Sequence, residues 1–389
     1  MKFLILTVLC AAIGVMVMDG QSKAADPGSL KVSVVSPTYC ADITGTTRVT
    51  LAAPGFTSAV VKCWKQGGQY GADSTVATVT FDADGNGAFT FPANEYPHGP
   101  VILRITASDG KMTDVCNLQL YNTGGVVWNQ GIPATPPPPA EGMNLVFQDD
   151  FAGPLSISTD GAGATYCAHK PGDGDFSAIP FADPSSPGNP FSQVDSYLRI
   201  RVDANKRTAG LISSLRKDGT GITATAPCYF ECRFVAQNAI GSWPAFWLMT
   251  KDVYQGLKKP ADELDTIEAY GVTDLAHKNQ TGYWITSHTW NQTEKPVGHI
   301  YTNVQMPPIG GGATWGMTFH TYGTKITPTD TIYYCDNIEV GRHATTTLCK
   351  TDPIFFFINF AVGGGWPVDL SRYNGIIDMY VDYVRVYKG

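Results

Sequence analysis

Charged residues and long apolar runs are both scarce in this sequence. Only 16% of its 389 residues are charged, the net charge is −7, and lysine and arginine occur singly or in isolated pairs. A basic patch of the kind that neutralises phosphates is therefore missing, which argues against nucleic acid as a partner. Long runs rich in Glu, Lys and Ala, typical of amphipathic helices, are also hard to find. Short strands with polar turns are the better expectation.

The N terminus carries the longest apolar run of the sequence. Lys2 is followed by apolar residues over Phe3–Met18, and Ser22–Ala24 offers small residues at the positions that a signal peptidase inspects. A membrane anchor must cross about 30 Å of hydrocarbon, and this run is short for that distance. We therefore predict a signal peptide over residues 1–25 and a protein secreted to the extracellular space or periplasm. No later segment is apolar enough to span a membrane, so no membrane association is expected after cleavage.

Export makes disulfides plausible for the cysteines that remain after cleavage. There are eight of them, Cys40, Cys63, Cys116, Cys167, Cys228, Cys232, Cys335 and Cys349. Cys335 and Cys349 flank a short segment and form the first predicted pair, and Cys63 with Cys116 forms the second. Cys228 and Cys232 would lie about 13 Å apart on one strand, at 3.3 Å per residue, which is too far for a bond between them.

A proline-rich stretch divides the chain into two parts. Pro133–Ala140 is typical of an extended, semi-rigid polyproline II segment, and we predict a linker over residues 129–142. The preceding region, residues 28–128, contains alternating runs such as Val76–Phe81 and Ala88–Phe91. Strands with this spacing predict a small immunoglobulin-like β-sandwich that serves as an accessory domain.

The segment between those two runs has a possible ligand-binding pattern. Asp82–Gly87 begins like a calcium loop, but Ala93 stands at the twelfth position, where such a loop needs a bidentate glutamate. Asp-Gly and Asn-Gly between alternating runs favour a hairpin turn instead.

The second part of the chain, residues 143–389, consists of further strand-like runs. Examples are Tyr229–Phe234, Ala245–Met249 and Ile354–Phe360. Together they predict one large all-β sandwich. The first run, Leu145–Phe151, and the last, Met379–Tyr387, are expected to pair with each other.

Three acids stand close together in this second part. On a helix, Glu263, Asp265 and Glu268 would scatter around the axis, whereas on a strand Glu263 and Asp265 share a face. Glu268 joins them only if one extra residue, a β-bulge within Thr266–Ile267, corrects the alternation. Such crowding is electrostatically costly, but a retaining glycosidase needs one carboxylate as nucleophile and one carboxylic acid as proton donor. A solvated strand face and a calcium site are the other interpretations.

Aromatic residues flank this motif along the sequence. Sugars offer apolar C–H faces that stack on aromatic rings, so we predict substrate-binding residues at Trp243, Trp247, His288, Trp290 and Trp366. A tryptophan on a core strand, such as Trp247, more often packs, and a lone histidine such as His288 is more often structural.

The combined pattern resembles glycoside hydrolase family 16, the laminarinase and lichenase family with a concanavalin A-like jelly roll. Glu263–Glu268 matches the longer form, E-x-D-x-x-E, of a family motif whose shorter form is E-x-D-x-E. Further family segments match in the same order at Phe147–Phe151, Tyr229–Arg233, Trp243–Met249, His320–Gly323 and Asn359–Gly364. The resemblance covers about residues 143–389 and implies a jelly-roll catalytic domain over that range.

The resemblance also implies roles for individual residues. Glu263 would be the nucleophile, Asp265 its assistant and Glu268 the acid/base. Trp243 and Trp366 would line donor-side sugar sites.

Two further assignments come from the same resemblance. Asn359, in the N-x-A-V-G-G segment, joins the predicted substrate-binding residues. No cofactor is required, although Asp382 stands at a position that often helps to bind a structural calcium ion.

The expected function is that of a secreted, retaining endo-β-glycosidase acting on a polysaccharide, with β-1,3- or β-1,3-1,4-glucan as the best candidates. A monomer with a polysaccharide as its partner is expected. A transglycosylase that remodels a β-glycan and a carbohydrate-binding protein without turnover are the alternatives. Because Glu268 should stay protonated when Glu263 ionises, a bell-shaped pH profile is expected, centred below neutrality.

Overall fold

Alternating apolar residues form strands along nearly the whole chain. The computed structural model describes residues 30–64, 75–125, 131–172, 174–252, 259–291, 300–309 and 313–389. The only α-helices in these ranges are two short ones, α1 (Lys278–Thr281) and α2 (Thr347–Thr351). The predicted all-β fold class is confirmed. The predicted signal peptide lies outside the described residues, and no helix within them is long and apolar enough to cross a bilayer.

The N-terminal part forms two sheets that we call the small sandwich. One sheet has three strands, in the order β1 (Ser33–Ser36), β3 (Thr46–Ala52) and β6 (Asn86–Pro92). The other has five, in the order β2 (Asp42–Ile43), β8 (Thr113–Asn122), β7 (Gly99–Ser108), β4 (Ser58–Lys62) and β5 (Thr75–Thr80).

The Asp82 segment connects these two sheets. Asp82 accepts the backbone N–H of Gly85 at 3.0 Å, as in a turn, and its carboxylate accepts the N–H of Asn86 at 2.8 Å. However, β5 pairs with β4 and β6 pairs with β3, so the turn does not close a hairpin. The hairpin prediction is therefore wrong, because alternation of flanking runs does not reveal which sheet each strand joins.

The C-terminal part forms the large sandwich, with two sheets packed face to face. The first sheet has the order β10 (Ile157–Ser158), β11 (Tyr166–Cys167), β14 (Gly210–Ser213), β23 (Ile354–Val362), β16 (Ser242–Thr250), β17 (Ala261–Glu268), β18 (Gly282–Trp290) and β19 (Tyr301–Gln305). The second sheet has the order β12 (Phe191–Val194), β13 (Tyr197–Asp203), β24 (Ile376–Lys388), β15 (Cys228–Ala236), β20 (His320–Ile326), β21 (Asp330–Cys335) and β22 (Ile338–Ala344). The remaining strand, β9 (Asn144–Asp149), also pairs with β24.

The core of the large sandwich lies between these sheets. All nine residues of β23 and all nine of β15 are buried, as expected for central strands that are covered on both faces. Pairing of β9 with the end of β24, from Asp149 opposite Val384 to Asn144 opposite Lys388, confirms the predicted pairing of the end strands.

The proline-rich segment lies against the outer face of the second sheet. Arg385 donates to the carbonyl oxygens of Pro133 and Thr135 at 3.3 and 3.4 Å, and Pro138–Ala140 forms a short 3₁₀ turn. The segment is thus anchored to the sheet along part of its length and does not act as a free spacer.

Strands β7 and β8 pack the small sandwich against the large one. Asn117 donates to the carbonyl of Asn238 at 3.1 Å, and Gln237 donates back to the carbonyl of Asn117 at 2.8 Å. Arg372 reaches Asp114 at 2.9 Å, and both side chains are nearly buried. Since buried polar groups are costly when left unpaired, these contacts couple the two sandwiches energetically.

Replacing Arg372 with alanine is expected to test that coupling. The change leaves the Asp114 carboxylate nearly buried without its cation, which costs about 3 kcal/mol of unfolding free energy. Thermal unfolding should shift down by roughly 6–10 °C. Arg342→Ala is the matched control, because its ion pair with Glu339 is exposed and exposed pairs contribute little to stability. Equal shifts in the two variants would contradict a stabilising interface.

Neither predicted disulfide forms. Cys335 ends β21 in the second sheet, whereas Cys349 lies in α2, which packs beside β17 of the first sheet. The sulfur of Cys116, on β8, lies 2.7 Å from the Tyr39 hydroxyl, and Cys63 follows β4, two strands away in the same sheet. Short sequence separation favoured the first pair, but separation does not reveal which sheet a cysteine joins.

Candidate active site

The three predicted acids lie on one face of β17. Opposite β16, Ile267 pairs with Phe246 and Asp265 with Trp247, so Thr266 is the extra residue of a β-bulge. The predicted bulge is confirmed. It restores Glu268 to the face that carries Glu263 and Asp265, and we call this face of the first sheet the acid face.

The bulge also ties β17 to the second sheet. Thr266 is fully buried, and its hydroxyl lies 2.7 Å from the hydroxyl of Thr324 on β20. A hydrogen bond between the sheets therefore fixes the point where the alternation changes.

Glu268 is held in an environment that favours its protonated form. Burial, followed by the charges of Asp265 and Glu263, raises its pKa to about 8. The indole of Trp243 and the hydroxyl of Tyr270 both donate to Oε1, each at 3.1 Å. With Oε1 serving as acceptor, the proton of the neutral acid belongs on Oε2.

Glu263 ionises more readily than Glu268. Burial and the charge of Asp265 raise its pKa to about 7, whereas the charge of His288 and the hydrogen bond from Trp290 lower it. The Trp290 indole donates to Oε2 at 3.0 Å. Two carboxyl groups with separated pKa values can thus be present as one carboxylate and one acid near neutral pH.

His288 supplies a positive charge beside the acids. Its Nε2 lies 3.3 Å from Asp265 and 4.0 Å from Glu263. Burial alone would lower the pKa of His288, but the hydrogen bond and charge of Asp265, with the charges of Glu263 and Glu268, raise that pKa to about 9. The imidazolium therefore offsets one negative charge of the acid cluster at neutral pH.

Replacing His288 with alanine should move the pH dependence of activity upward. His288 lowers the pKa of both Glu263 and Glu268. In its absence both limbs of the kcat/KM profile are expected to shift to higher pH by about one unit. His98→Ala is the control, because His98 pairs with Asp195 between the sandwiches. A profile of lower amplitude with unchanged limbs would contradict an electrostatic role for His288.

Aromatic rings line the acid face on the β16 side. Trp243 stacks on Tyr270 at 5.7 Å between ring centroids, and Tyr270 lies 6.1 Å from Trp366. Gly364 has φ +59°, and a Cβ there would come within 2.9 Å of both rings, Trp243 and Tyr270. Glycine at this position lets the backbone pass close beneath the wall formed by Trp243, Tyr270 and Trp366.

Trp247 and Asn359 lie beside this wall and are buried. Trp247 is 6% exposed, stacks on Phe357 at 4.0 Å and donates its indole N–H to Asn359 at 2.8 Å. Asn359 is fully buried and donates to the carbonyl of Trp243 at 3.3 Å. Trp247 pairs with Asp265, and Asn359 pairs with Ala245 beside Glu268, so both residues lie on the acid face. They are buried there in packing contacts, whereas Trp243, Trp290, Trp366 and His288 remain partly exposed.

Several residues of the acid face escaped the sequence analysis. Trp284 pairs with Glu268 across β17 and β18, and Tyr301 stacks on Trp284 at 4.4 Å. The position of Trp284 was predictable from sequence. It is separated from His288 and Trp290 by even numbers of residues on one strand, so all three side chains point to the same face. Phe176, which contacts Trp243 at 5.1 Å between centroids, comes from a Gly- and Pro-rich segment without any periodic signal.

Two groups of potential metal ligands occur in the described residues. One is Glu263, Asp265 and His288 of the acid face, where the imidazolium already provides a cation, and the other is His320, Cys335 and Asp336. Asp382, the predicted calcium ligand, instead forms a nearly buried ion pair with Arg233 and accepts the N–H of Gly131 at 2.9 Å. A structural calcium ion stays a prediction.

The large sandwich is a jelly roll, and one of its faces presents a carboxylate and a carboxylic acid beside aromatic rings. These are features of a glycoside hydrolase. The sequence model of a family described as "Glycosyl hydrolases family 16" matches residues 189–383, half of the chain. The chain belongs to glycoside hydrolase family 16.

Two curated relatives come from Rhizobium meliloti (strain 1021). The endo-1,3-1,4-beta-glycanase EglC is 29% identical over 222 residues, covering 54% of this chain and 42% of EglC. The endo-1,3-1,4-beta-glycanase ExsH is 29% identical over 230 residues, with the same two coverages. The chain therefore spans less than half the length of these relatives.

Among solved structures, the laminarinase from Flavobacterium sp. UMI-01 is similar with a TM-score of 0.48 and 21% identity. The match covers 63% of this chain and 100% of that one.

Proposed function

We propose that the protein is an endo-acting, retaining β-glycosidase whose substrate is a β-glucan with 1,3 or mixed 1,3-1,4 linkages. The observation that carries the proposal is the different environment of two acids on one strand. Glu268 has two hydrogen-bond donors on Oε1 and the higher pKa, and Glu263 has the lower pKa and a neighbouring imidazolium. These are the states required of an acid/base and a nucleophile.

In the first step, the Glu263 carboxylate attacks the anomeric carbon and the bond to the leaving oxygen breaks. Glu268 gives the proton on Oε2 to that oxygen, so a glycosyl ester of Glu263 and a free chain end result. In the second step, Glu268, now a carboxylate, takes a proton from water as the water attacks the anomeric carbon. The ester bond breaks and the original configuration returns.

Asp265 and His288 support both steps without touching the proton that moves. The Asp265 carboxylate raises the pKa of each glutamate, and the imidazolium lowers it again. Their opposing effects keep both pKa values close to neutrality, at about 7 for Glu263 and about 8 for Glu268. The profile should therefore be a narrow bell near pH 7–8. We therefore expect a higher optimum than the one below neutrality that the sequence predicts.

The β-glucan assignment draws on the relatives. EglC and ExsH carry names that specify endo-1,3-1,4-beta-glycanases, and each aligns with this chain over more than 220 residues. A neutral polymer also suits an acid face whose exposed side chains are mostly aromatic.

The decisive experiment incubates the purified protein with laminarin, mixed-linkage β-glucan, agarose and a panel of bacterial exopolysaccharides. New reducing ends are measured, with Glu263→Gln as the inactive control. Cleavage of laminarin or mixed-linkage glucan, lost in the control, supports the proposal. Cleavage of another polymer would replace the substrate and keep the mechanism. Binding without cleavage of any polymer would favour a carbohydrate-binding role, and longer products with added acceptor sugar would favour a transglycosylase.

We also propose that the protein is exported after cleavage near Ala24 or Ala25. The support is the apolar run Phe3–Met18 followed by small residues. N-terminal sequencing of protein recovered from the medium or periplasm tests this, and an intact Met1 in that material would contradict it.

A further inference from the structure

The acid face continues beyond the catalytic strand toward the edge of the first sheet. Trp284 on β18 pairs with Glu268, and Thr286 pairs with Asp265. On the edge strand β19, Tyr301 pairs with Thr286. Side chains that lie opposite each other in a sheet point to the same face, so Tyr301 shares the face of the acids.

Tyr301 presents an open aromatic ring on this face. Its side chain is 63% exposed, the largest exposure among the large hydrophobic residues described. One side of the ring stacks on Trp284, with centroids 4.4 Å apart and planes at 21°. The other side of the ring is exposed to solvent. It is therefore available to stack on a ligand.

Trp284 fixes the position of that ring. Its indole N–H donates to Asn279 at 2.9 Å, and the ammonium group of Lys278 lies 4.2 Å from the ring centroid. Trp284 is 6% exposed. The stacked pair is therefore a preorganised surface, and a ligand that binds there loses little freedom in the protein.

The position of Tyr301 relative to the acids defines the ligand. Neighbouring strands lie about 4.8 Å apart, so β19 is roughly 10 Å from β17, on the side opposite Trp243 and Trp366. A glycan that crosses the strands with its donor end at Trp243 places its leaving-group part over β18 and β19. That part can reach Tyr301 once it contains a second sugar ring.

We propose that Tyr301, stacked on Trp284, is a sugar-binding platform for the leaving-group side of the glycan. It takes a neutral pyranose ring whose apolar face lies on the open side of the Tyr301 ring. The direction of the glycan on this platform rests on the proposed function, because the donor end of the glycan is taken to lie at Trp243. It makes Tyr301 a substrate-binding residue, while proton transfer and nucleophilic attack remain with the glutamates.

Kinetics with two kinds of substrate test the platform. Tyr301→Ala should lower kcat/KM on the polysaccharide about tenfold, mainly through KM, which corresponds to a loss of about 1.4 kcal/mol. An aryl β-oligoglucoside, whose small leaving group ends short of β19, should be cleaved with unchanged kcat/KM. Tyr301→Phe retains the ring and should behave like the wild type on both substrates. Tyr334→Ala, a change of the same kind on β21 of the second sheet, should alter neither.

Equal losses on both substrates, or no loss on the polysaccharide, would overturn the platform.

A second measurement does not depend on turnover. Oligosaccharide binding is followed through tryptophan fluorescence in the Glu263→Gln background, with and without Tyr301→Ala. Weaker binding in the double variant supports the platform even if the wild type cleaves none of the tested polymers. Equal binding would reject it even if the proposed catalysis is correct.

Discussion

Glu263→Gln is expected to lower kcat/KM on the cleaved polysaccharide by about 10⁴-fold or more, with the fold retained. The substitution keeps the size of the side chain and a hydrogen-bond acceptor for the Trp290 indole, but it removes the negative charge that attacks the anomeric carbon. Folding is checked by circular dichroism and by the thermal unfolding midpoint. Because the carboxylate is buried and its pKa is raised, its removal should not destabilise the protein at neutral pH.

The reaction with azide distinguishes the role of Glu263 from a structural one. In Glu263→Ala, azide can enter the vacated space and attack the anomeric carbon of an aryl β-glycoside directly. The bond between the anomeric carbon and the glycosidic oxygen breaks and the aryloxide departs. The product is an α-glycosyl azide, formed with one inversion. A β-glycosyl azide from this variant would show that another residue is the nucleophile.

Glu268→Ala has the second-largest expected effect, and the effect should depend on the substrate. Cleavage of the polysaccharide should fall by about 10²–10⁴-fold, because its leaving oxygen needs a proton. Formation of the glycosyl-enzyme from an aryl glycoside with an acidic phenol should fall much less, because a phenolate leaves without protonation. Pre-steady-state release of the phenol measures this step alone.

Two further observations complete the test of Glu268. The descending limb of the pH profile, which we assign to loss of its proton near pH 8, should disappear in Glu268→Ala. Azide should accelerate the second step and give a β-glycosyl azide, since it replaces water on the ester of Glu263. Tyr270→Phe is the control: it removes one of the two donors to Oε1 and keeps the acid, so the descending limb should move up in pH and remain present.

The strand that carries the three acids was largely predictable from sequence because strand alternation is a local rule. Glu263, Asp265 and Glu268 could be assigned to one face only by introducing an extra residue, and the structure has that residue at Thr266. The pairing of the first and last strands of the large sandwich was predictable in the same way.

What sequence could not supply is the set of contacts between distant segments. Phe176 reaches Trp243 from a segment that has neither periodicity nor a family match. The disulfide predictions failed for the same reason, since Cys335 and Cys349 are close in sequence but lie at different sheets.

The bulge at Thr266 has a consequence at the level of the gene. Phe246 and Trp247 are consecutive on β16, yet they pair with Ile267 and Asp265, which lie on either side of Thr266. Deleting the single codon for Thr266 would leave Glu-Leu-Asp-Ile-Glu, a strand that alternates regularly, with its partners on β16 unchanged and all three acids still on one face. The two lengths of the family motif are thus one in-frame codon apart, and the sheet can accept either length without a change of topology.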